Sequence, residues 1–380
     1  MRGVPKAVYI HIPFCRHICP YCDFNKVRIK GQPVWAYLEA LRKEMAQALA
    51  LAPPFQVETV YIGGGTPTAL SFDQMRFLLQ TINSLFAPFR PFVEFTVEAN
   101  PGTVDGELLQ MMFEEGVNRL SLGVQAFDQD LLTRLGRIHT VEDVYRSIEL
   151  ARAAGFSNLS IDLMFGLPGQ SVDQFDETLS RALKLDLPHL SAYSLKIEEG
   201  TPFYKLYKAN KLALPDEDEE ADMYERVIDR LREAGYVHYE ISNFARPGFE
   251  SKHNLTYWRN EEYYGFGAGA HGYVKGVRYM NVEGIKEYIR LVEEKGSAQA
   301  EAHPVSKKEA MEESIILGLR LAEGISGSSF RKRFGVTLEE QYGQVLNHLL
   351  EKGLLAKDGD GYRLTKKGLF LGNEVFASFL

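Results

Sequence analysis

The sequence contains little cysteine, and all of it is concentrated in one place. The 380 residues include three cysteines, Cys15, Cys19 and Cys22, within a single short stretch. Three neighbouring thiols do not form the paired framework that stabilises small secreted domains. The chain also enters a predicted strand almost at once, without the cationic and apolar segments of a signal peptide. We therefore expect a cytoplasmic protein whose thiols stay reduced.

Long apolar runs and an excess of basic residues are also missing. No apolar run reaches the ~18 residues that a membrane-spanning helix needs, so we predict no transmembrane segment. The 51 acidic residues outnumber the 43 lysines and arginines, which gives a net charge of −8. This balance argues against general attraction to nucleic acid or to an anionic membrane surface. The apolar content of 45% is ordinary for a globular chain long enough to bury a large core.

Short β-branched, apolar stretches alternate with helical patterns through the first half of the chain. The predicted strands cover residues 7–12, 57–62, 92–99, 118–125, 159–165 and 190–195. Ser71 is the expected N-cap of the second predicted helix. The alternation indicates βαβ units, a parallel sheet and an α/β fold.

The last part of the chain, from residue 304, has a different pattern. Three predicted helices are followed by a short ribbon, which indicates a winged-helix-like α+β module. The segment has no basic stripe, so we expect it to act in packing or as a lid and not to bind nucleic acid.

The three cysteines are separated by gaps of three residues and then two residues. Thiolates this close together predict one shared metal centre. In a [4Fe–4S] cluster, which usually takes four cysteines, three thiolates would leave one iron without a protein ligand. Two alternatives stay open, namely a disulfide with a spare thiol, or a zinc site completed by His11 or His17.

The cysteine spacing just after a short apolar strand resembles that of the radical S-adenosylmethionine (SAM) enzymes. The string Tyr-Ile-His-Ile-Pro-Phe-Cys at residues 9–15 resembles in particular the branch that contains oxygen-independent coproporphyrinogen III oxidase. This resemblance implies that Cys15, Cys19 and Cys22 hold a [4Fe–4S] cluster whose open iron is chelated by SAM. It also implies an incomplete (β/α)6 barrel, with its functional residues at the carboxyl ends of the strands.

Further motifs match this superfamily in order along the chain. The Gly63-Gly64-Gly65-Thr66 loop follows a predicted strand, so its backbone can approach a ligand closely. Each residue alone could be structural, because a strand-end carboxylate is more often simply solvated. As a set, the resemblance implies SAM contacts from Tyr9, Tyr21, Gly64, Gly65, Thr66, Glu98, Gln125, Arg137 and Asp162.

Two departures separate the chain from coproporphyrinogen oxidase. That enzyme has a further cysteine two positions after the third, where this chain has Phe24. The oxidase also carries an N-terminal extension that contacts its active site, whereas this chain begins eight residues before Tyr9. We therefore expect no decarboxylation of coproporphyrinogen.

One further motif resembles that of a family other than the oxidase. His253, Asn254, Tyr257 and Trp258 form a His-Asn-x-x-Tyr-Trp string that resembles the motif of the HemW family of haem chaperones. The resemblance implies haem binding by this segment, with imidazole as a common iron ligand. His271 is a second candidate ligand. The alternative is a buried histidine among packed aromatic side chains.

We therefore predict a haem chaperone that carries a [4Fe–4S] cluster and SAM and delivers haem to acceptor haemoproteins. Components of the respiratory chain are candidate acceptors. The alternative is a radical-SAM oxidoreductase acting on a porphyrinogen. The predicted parts are a radical-SAM barrel over residues 1–235, a connecting segment with the haem motif over 236–303, and the winged-helix-like module over 304–380.

Overall fold

A parallel sheet is the centre of the fold in the computed structural model, which describes residues 5–53 and 56–380. Residues 1–4, 54 and 55, part of the predicted barrel segment, lie outside the described residues. The strands are β1 Ala7–Ile12, β2 Phe14–Cys15, β3 Val27–Arg28, β4 Thr59–Gly64, β5 Glu94–Ala99, β6 Arg119–Gln125, β7 Asn158–Phe165, β8 His189–Ser194, β9 Val237–Glu240, β10 Asn243–Ala245, β11 Tyr263–Phe266, β12 His271–Val274, β13 Val277–Asn281, β14 Gln299–Pro304, β15 Leu355–Asp358 and β16 Gly361–Leu364.

Helices connect and cover these strands. They are α1 Val34–Leu51, α2 Phe72–Phe86, α3 Gly106–Glu114, α4 Gln129–Arg134, α5 Val141–Ala153, α6 Val172–Lys184, α7 Pro202–Lys208, α8 Glu217–Glu233, α9 Lys252–Trp258, α10 Ile285–Lys295, α11 Lys307–Gly318, α12 Gly327–Phe334, α13 Leu338–Glu351, α14 Lys366–Phe370 and α15 Gly372–Ala377. The expected cap of α2 is confirmed, because the Ser71 side chain accepts a hydrogen bond from the Gln74 amide. None of the described helices has the length and apolarity needed to cross a bilayer.

The six predicted strands form the core of the sheet. Strands β1, β4, β5, β6, β7 and β8 are neighbours in that order, and every pair among them is parallel. Helices connect most of these parallel strands, as the alternating sequence pattern requires. The predicted incomplete (β/α)6 barrel is therefore confirmed, and its carboxyl strand ends lie along one edge.

Residues 236–303, predicted as a connecting segment, extend the same sheet on both sides. Strand β11 pairs in parallel with β1, and β12, β13 and β14 follow in antiparallel order. At the opposite edge β10 and β9 follow β8. The described residues thus contain one sheet of 12 strands.

Two helices in residues 236–303 were not predicted from the sequence. Residues 236–281 show no helical period. Helix α9 contains the whole haem motif, and its N-terminus is capped by the Ser251 side chain. Seven residues make too short a helix for an apolar period to be visible. Helix α10 was also not predicted, although it packs its apolar face on α1.

The C-terminal module has a hydrophobic core of its own, built from residues between Met311 and Phe379. Helices α11 to α13 and the β15–β16 hairpin surround this core, which matches the predicted winged-helix-like arrangement. The Ala322 amide donates to the Tyr239 carbonyl oxygen at 3.0 Å. This contact joins the module to β9 of the large sheet.

A buried carboxylate ties the sheet extension to the barrel. Glu44 of α1 accepts hydrogen bonds from the Gly267 amide at 2.9 Å, Asn281 Nδ2 at 2.6 Å and the Tyr288 hydroxyl at 2.6 Å. Only 5% of Glu44 is exposed, so water cannot replace it as the acceptor. One side chain therefore satisfies donors from three separate segments.

We predict that Glu44→Ala destabilises the protein by about 3 kcal/mol or more, because three buried donors lose their acceptor. The free energy of unfolding in urea measures this. Glu39→Ala on the exposed face of the same helix is the control and should change stability by no more than about 0.5 kcal/mol. Equal stability of the two variants would contradict the assigned role of Glu44.

Candidate cofactor site

A large cavity of about 1310 Å³ opens at the carboxyl ends of the parallel strands. Most of the residues singled out in the sequence line it. They are Cys15, Cys19, Tyr21, Cys22, Gly64, Gly65, Thr66, Glu98, Gln125, Arg137, Asp162, Asn254, Tyr257 and Trp258. Tyr9, His253 and His271 are not among the lining residues. One cavity therefore brings together the cysteine loop, the glycine loop and the haem motif.

The cysteine loop follows β1 without forming a helix across the three thiols. Strand β2, which ends at Cys15, pairs in parallel with β3 and so folds the loop back over the barrel. All three cysteines are free. Burial raises the pKa of Cys15 to about 11, since an isolated thiolate is costly to bury, and a cationic iron centre would offset that cost. Within the described residues, no three His, Cys, Asp or Glu side chains form a group suited to one metal ion.

Two side chains of the barrel reach the cysteine sulfurs. The Thr66 hydroxyl donates to Cys15 Sγ at 3.6 Å, and Arg137 Nη1 donates to Cys19 Sγ at 3.5 Å. Donors of this kind stabilise the negative charge of a thiolate and fix its orientation. The cysteine loop is thus connected to the glycine loop on one side and to the Arg137 segment on the other.

The glycine loop needs its glycines for close packing. Gly64 has φ of +113°, and a Cβ at this residue would lie 2.5 Å from the His11 ring. A Cβ on Gly65 would lie 2.9 Å from Cys15 Sγ. Side chains at these positions would push the cysteine loop away from the sheet.

Glu98 is held beneath the glycine loop. Its Oε1 accepts from the Tyr61 hydroxyl at 2.7 Å, and its Oε2 accepts from the Gly64 amide at 3.1 Å. Burial raises the pKa of Glu98 to about 7, and the neighbouring Asp162 adds to the increase. A ligand that brings positive charge to this carboxylate would favour its ionised form.

Arg137 is fixed by acceptors from two strand ends. Its Nη2 donates to Asn100 Oδ1 at 2.5 Å and to the Gly123 carbonyl oxygen at 2.7 Å. Asn100 Nδ2 in turn donates to Thr66 Oγ1 at 2.9 Å. Asn100 was not among the site residues predicted from the sequence. Its position between two predicted ligand-binding residues is a tertiary feature that the sequence does not display.

Two side chains of opposite charge, Asp162 and Arg119, lie at the base of the cavity. Asp162 on β7 accepts from the Ser121 hydroxyl at 3.3 Å, and burial raises its pKa. Arg119 on β6 is only 2% exposed and also lines the cavity. Sequence reasoning missed Arg119, although an arginine within a predicted buried strand is a usable signal of function. Gln125, the last residue of β6, has φ of +71° at a β-bulge, and it also lines the cavity.

Two of the predicted residues lie behind the cavity wall. The Tyr9 hydroxyl is hydrogen-bonded to His11 Nδ1 at 2.9 Å, and its ring stacks near Tyr61. His253 is fully buried, with Nδ1 bonded to the Thr59 hydroxyl and Nε2 bonded to the Tyr257 hydroxyl, both at 2.8 Å.

The predicted role of His253 as an iron ligand gains no support from this arrangement and stays a prediction. Both of its ring nitrogens are occupied, so coordination would require the loss of a hydrogen bond. Burial also lowers the pKa of His253 to about 3, which keeps the imidazole neutral at ordinary pH. Protonation of this histidine should therefore not weaken haem binding near a pH of roughly 6.5, the ordinary pKa of an imidazole. In the structure, His253 positions Tyr257, which does line the cavity.

Several buried polar atoms along the cavity wall have no hydrogen-bond partner within the described residues. Buried polar groups in proteins are normally paired, so unpartnered atoms on the wall of a cavity are available to bond a ligand. They are Arg119 Nε, Arg137 Nε, Glu240 Oε2, Asn243 Oδ1, Trp258 Nε1 and Arg320 Nε. The lining residues therefore suit a large ligand, or two ligands, with both charged and apolar parts.

A partial parallel barrel with three cysteines above its carboxyl edge is the architecture of the radical SAM class. The sequence profile of the Radical SAM superfamily matches residues 9–182, and that of the HemN C-terminal domain matches residues 305–371. The superfamily implies a [4Fe–4S] cluster and SAM as cofactors.

Individual relatives identify the family within this class. The chain is 49% identical to the heme chaperone HemW of Bacillus subtilis (strain 168) over 99% of both chains. It is 45% identical to the heme chaperone HemW of Lactococcus lactis subsp. lactis (strain IL1403), over 100% of this chain and 98% of that relative. The chain therefore belongs to the HemW family.

A solved structure has the same fold over nearly the whole chain. It is coproporphyrinogen III oxidase (HemN) from Escherichia coli, described as a radical SAM enzyme. The two superpose with a TM-score of 0.85 at 26% identity, covering 99% of this chain and 90% of that chain. The similarity includes the C-terminal module.

We predict that the wild-type protein, reconstituted anaerobically, binds about four irons per chain. Cys19→Ser should lose most of this iron, because the hydroxyl is a poor substitute for a thiolate ligand. Iron and zinc analysis of both proteins provides the measurement. Full iron retention in the variant, or zinc in place of iron in the wild type, would contradict the cluster assignment.

We also predict that SAM affinity rises with pH through about 7, the pKa of Glu98. Below this pH the carboxyl is protonated, and above it the carboxylate can attract a cationic group of the ligand. Calorimetric titration of cluster-loaded protein between about pH 6 and pH 8 measures the effect. Glu98→Gln should flatten this dependence, whereas Glu107→Gln at an exposed helix position should preserve it. An unchanged profile in Glu98→Gln would show that another group is responsible.

Proposed function

We propose that this protein is a haem chaperone, which binds haem in the cavity at the carboxyl edge of the barrel and delivers it to acceptor haemoproteins. The observation that carries this proposal is the shared cavity. Asn254, Tyr257 and Trp258 of the motif helix line the same space as the three cysteines. The relatives with 49% and 45% identity carry the name heme chaperone, and they align over the full length.

In this proposal the cofactors bind at the end of the cavity that is lined by the three cysteines. Cys15, Cys19 and Cys22 bind the [4Fe–4S] cluster. When bound, a cluster with SAM supplies one-electron chemistry. The chain's own residues then have binding roles. Gly64, Gly65, Thr66 and Glu98 are proposed to receive the amino-acid end of SAM, and Gln125, Arg137 and Asp162 its remaining polar groups.

The end of the cavity that is lined by helix α9 is proposed to hold haem, which is the molecule that the chaperone delivers. Tyr257 and Trp258 offer aromatic faces for a flat apolar ring. The Tyr257 hydroxyl accepts or donates a hydrogen bond with His253 at 2.8 Å, which fixes the direction of the phenol. The proposed acceptors are haemoproteins, including components of the respiratory chain. Free thiols suit a reducing compartment such as the cytoplasm.

The second candidate function is oxidation of a porphyrinogen, because the oxidase from Escherichia coli has the same fold. Phe24 argues against it. This side chain lines the cavity and is 63% exposed, at the position where the oxidase carries a further cysteine. A phenyl ring cannot transfer a proton or a hydrogen atom as a thiol does. The chaperone function is therefore favoured.

We predict that cluster-loaded protein binds haem with a distinct Soret spectrum and transfers it to an apo-haemoprotein such as apomyoglobin. His253→Ala should alter the spectrum whether the imidazole binds iron directly or orients Tyr257. His271→Ala is the matched control, because His271 lies on an exposed strand end outside the cavity. Haem affinity should change little between about pH 8 and pH 6, since His253 stays neutral there.

Two outcomes would contradict this account. If only His271→Ala changes the spectrum, haem is bound outside the motif helix. If wild-type protein with SAM and reductant forms protoporphyrinogen from coproporphyrinogen III, the oxidase function replaces the chaperone function.

A further inference from the structure

Arg320 is an unusual arginine at the junction between the C-terminal module and the barrel. It follows α11, and its neighbour Leu321 forms a bridge to Glu240 of β9. The Leu321 amide also donates to the Gly318 carbonyl oxygen at 3.0 Å. The backbone that carries Arg320 is therefore fixed to both parts of the molecule.

The Arg320 side chain points into the cavity against the haem motif. Its guanidinium carbon lies 4.4 Å from the centre of the Trp258 ring, and both residues line the cavity. Stacking of this kind orients the planar guanidinium and leaves its edge available for hydrogen bonds. Arg320 of the C-terminal module and Trp258 of helix α9, which are far apart in sequence, thus meet at one polar point of the cavity wall.

No hydrogen bond or ion pair reaches the Arg320 guanidinium from the described residues, and its Nε is buried without a partner. The Trp258 Nε1–H group is buried and unpartnered as well. Other arginines at similar depth are paired. Arg230 makes two bonds to the Asp176 carboxylate at 2.6 and 2.7 Å, and Arg278 binds Glu313 at 2.8 Å. Two adjacent unpaired donors therefore indicate a site for an acceptor that the chain itself does not supply.

Glu240 lines the same cavity as this pair of donors, and it does not fill that role. Its Oε1 accepts from the Ser242 amide at 3.0 Å and from Asn243 Nδ2, while Oε2 is buried without a partner. It makes no ion pair with Arg320. Burial raises the pKa of Glu240, whereas its hydrogen bonds and the charge of Arg320 oppose that increase. The hydrogen-bonding groups of Arg320 and Trp258 are therefore left to a ligand.

We propose that Arg320 and Trp258 form a carboxylate-binding subsite that receives a propionate of haem. This inference rests on the proposed function and adds to it the residues that recognise the polar edge of the cargo. A planar guanidinium matches a carboxylate in two parallel hydrogen bonds, which makes arginine the suitable side chain. The subsite would also make the C-terminal module part of the haem site.

The test compares haem with haem dimethyl ester, in which both carboxylates are blocked, on cluster-loaded full-length protein. Wild-type protein should bind haem about tenfold more tightly than the diester, as expected for one charge-assisted bond. Arg320→Gln should weaken haem binding by about the same factor and leave diester binding unchanged. Arg320→Lys should recover part of the loss, because it restores the charge. Arg363→Gln, at an exposed surface pair in the same module, should behave as wild type.

The outcomes separate this inference from the proposed function. If wild-type protein binds haem but Arg320→Gln binds haem and diester in the wild-type ratio, the subsite is refuted and the chaperone function stands. If wild-type protein binds haem and diester equally, the same conclusion follows without any variant. If wild-type protein binds neither, both proposals fail. Loss of SAM affinity in Arg320→Gln with unchanged haem affinity would assign the arginine to SAM and overturn the subsite.

Discussion

Charged side chains buried around one cavity are the constraint on which the rest of this structure depends. Arg119 is buried, Glu98, Asp162 and Arg137 line the cavity beside it, and burial raises the pKa of both carboxyls. Such groups destabilise a fold unless hydrogen bonds and opposite charges compensate. The parallel strands provide that compensation by holding Tyr61, Ser121 and the Gly64 amide in fixed positions. Arg119 Nε and Arg137 Nε stay without a partner among the described residues, and both arginines line the cavity.

The sheet extension and the C-terminal module complete this cavity. The strands that extend the sheet carry helix α9, whose Tyr257 and Trp258 form part of the wall. The C-terminal module contributes Arg320, and the bond from Ala322 to Tyr239 fixes its position. In the proposed function the barrel provides the end of the cavity for the cluster and SAM. The extension and the module provide the aromatic end, which is proposed to receive the flat, carboxylated ring of haem.

Most of the barrel could be predicted from the sequence because its signals are local. The strand β1 matches its predicted bounds, and the cysteine spacing and glycine loop are contiguous motifs. Long-range contacts were not accessible in this way. Asn100 joins Thr66 to Arg137 only in the folded chain, and Arg320 belongs to no motif. Helix α9 was missed because seven residues show no period. The same contacts explain why His253, chosen from its motif, proves to be buried behind Tyr257.

The central claim is that one cavity holds both the cluster and the haem. Pulsed electron paramagnetic resonance of the reduced, paramagnetic cluster tests it most directly, because a second paramagnetic centre nearby accelerates spin relaxation. Haem is replaced by manganese protoporphyrin, which stays paramagnetic under the strong reductant that the cluster requires, or by diamagnetic zinc protoporphyrin. The account predicts faster relaxation of the cluster signal with bound manganese protoporphyrin than with bound zinc protoporphyrin. Equal relaxation with the two bound porphyrins would place the porphyrin outside this cavity and contradict the account.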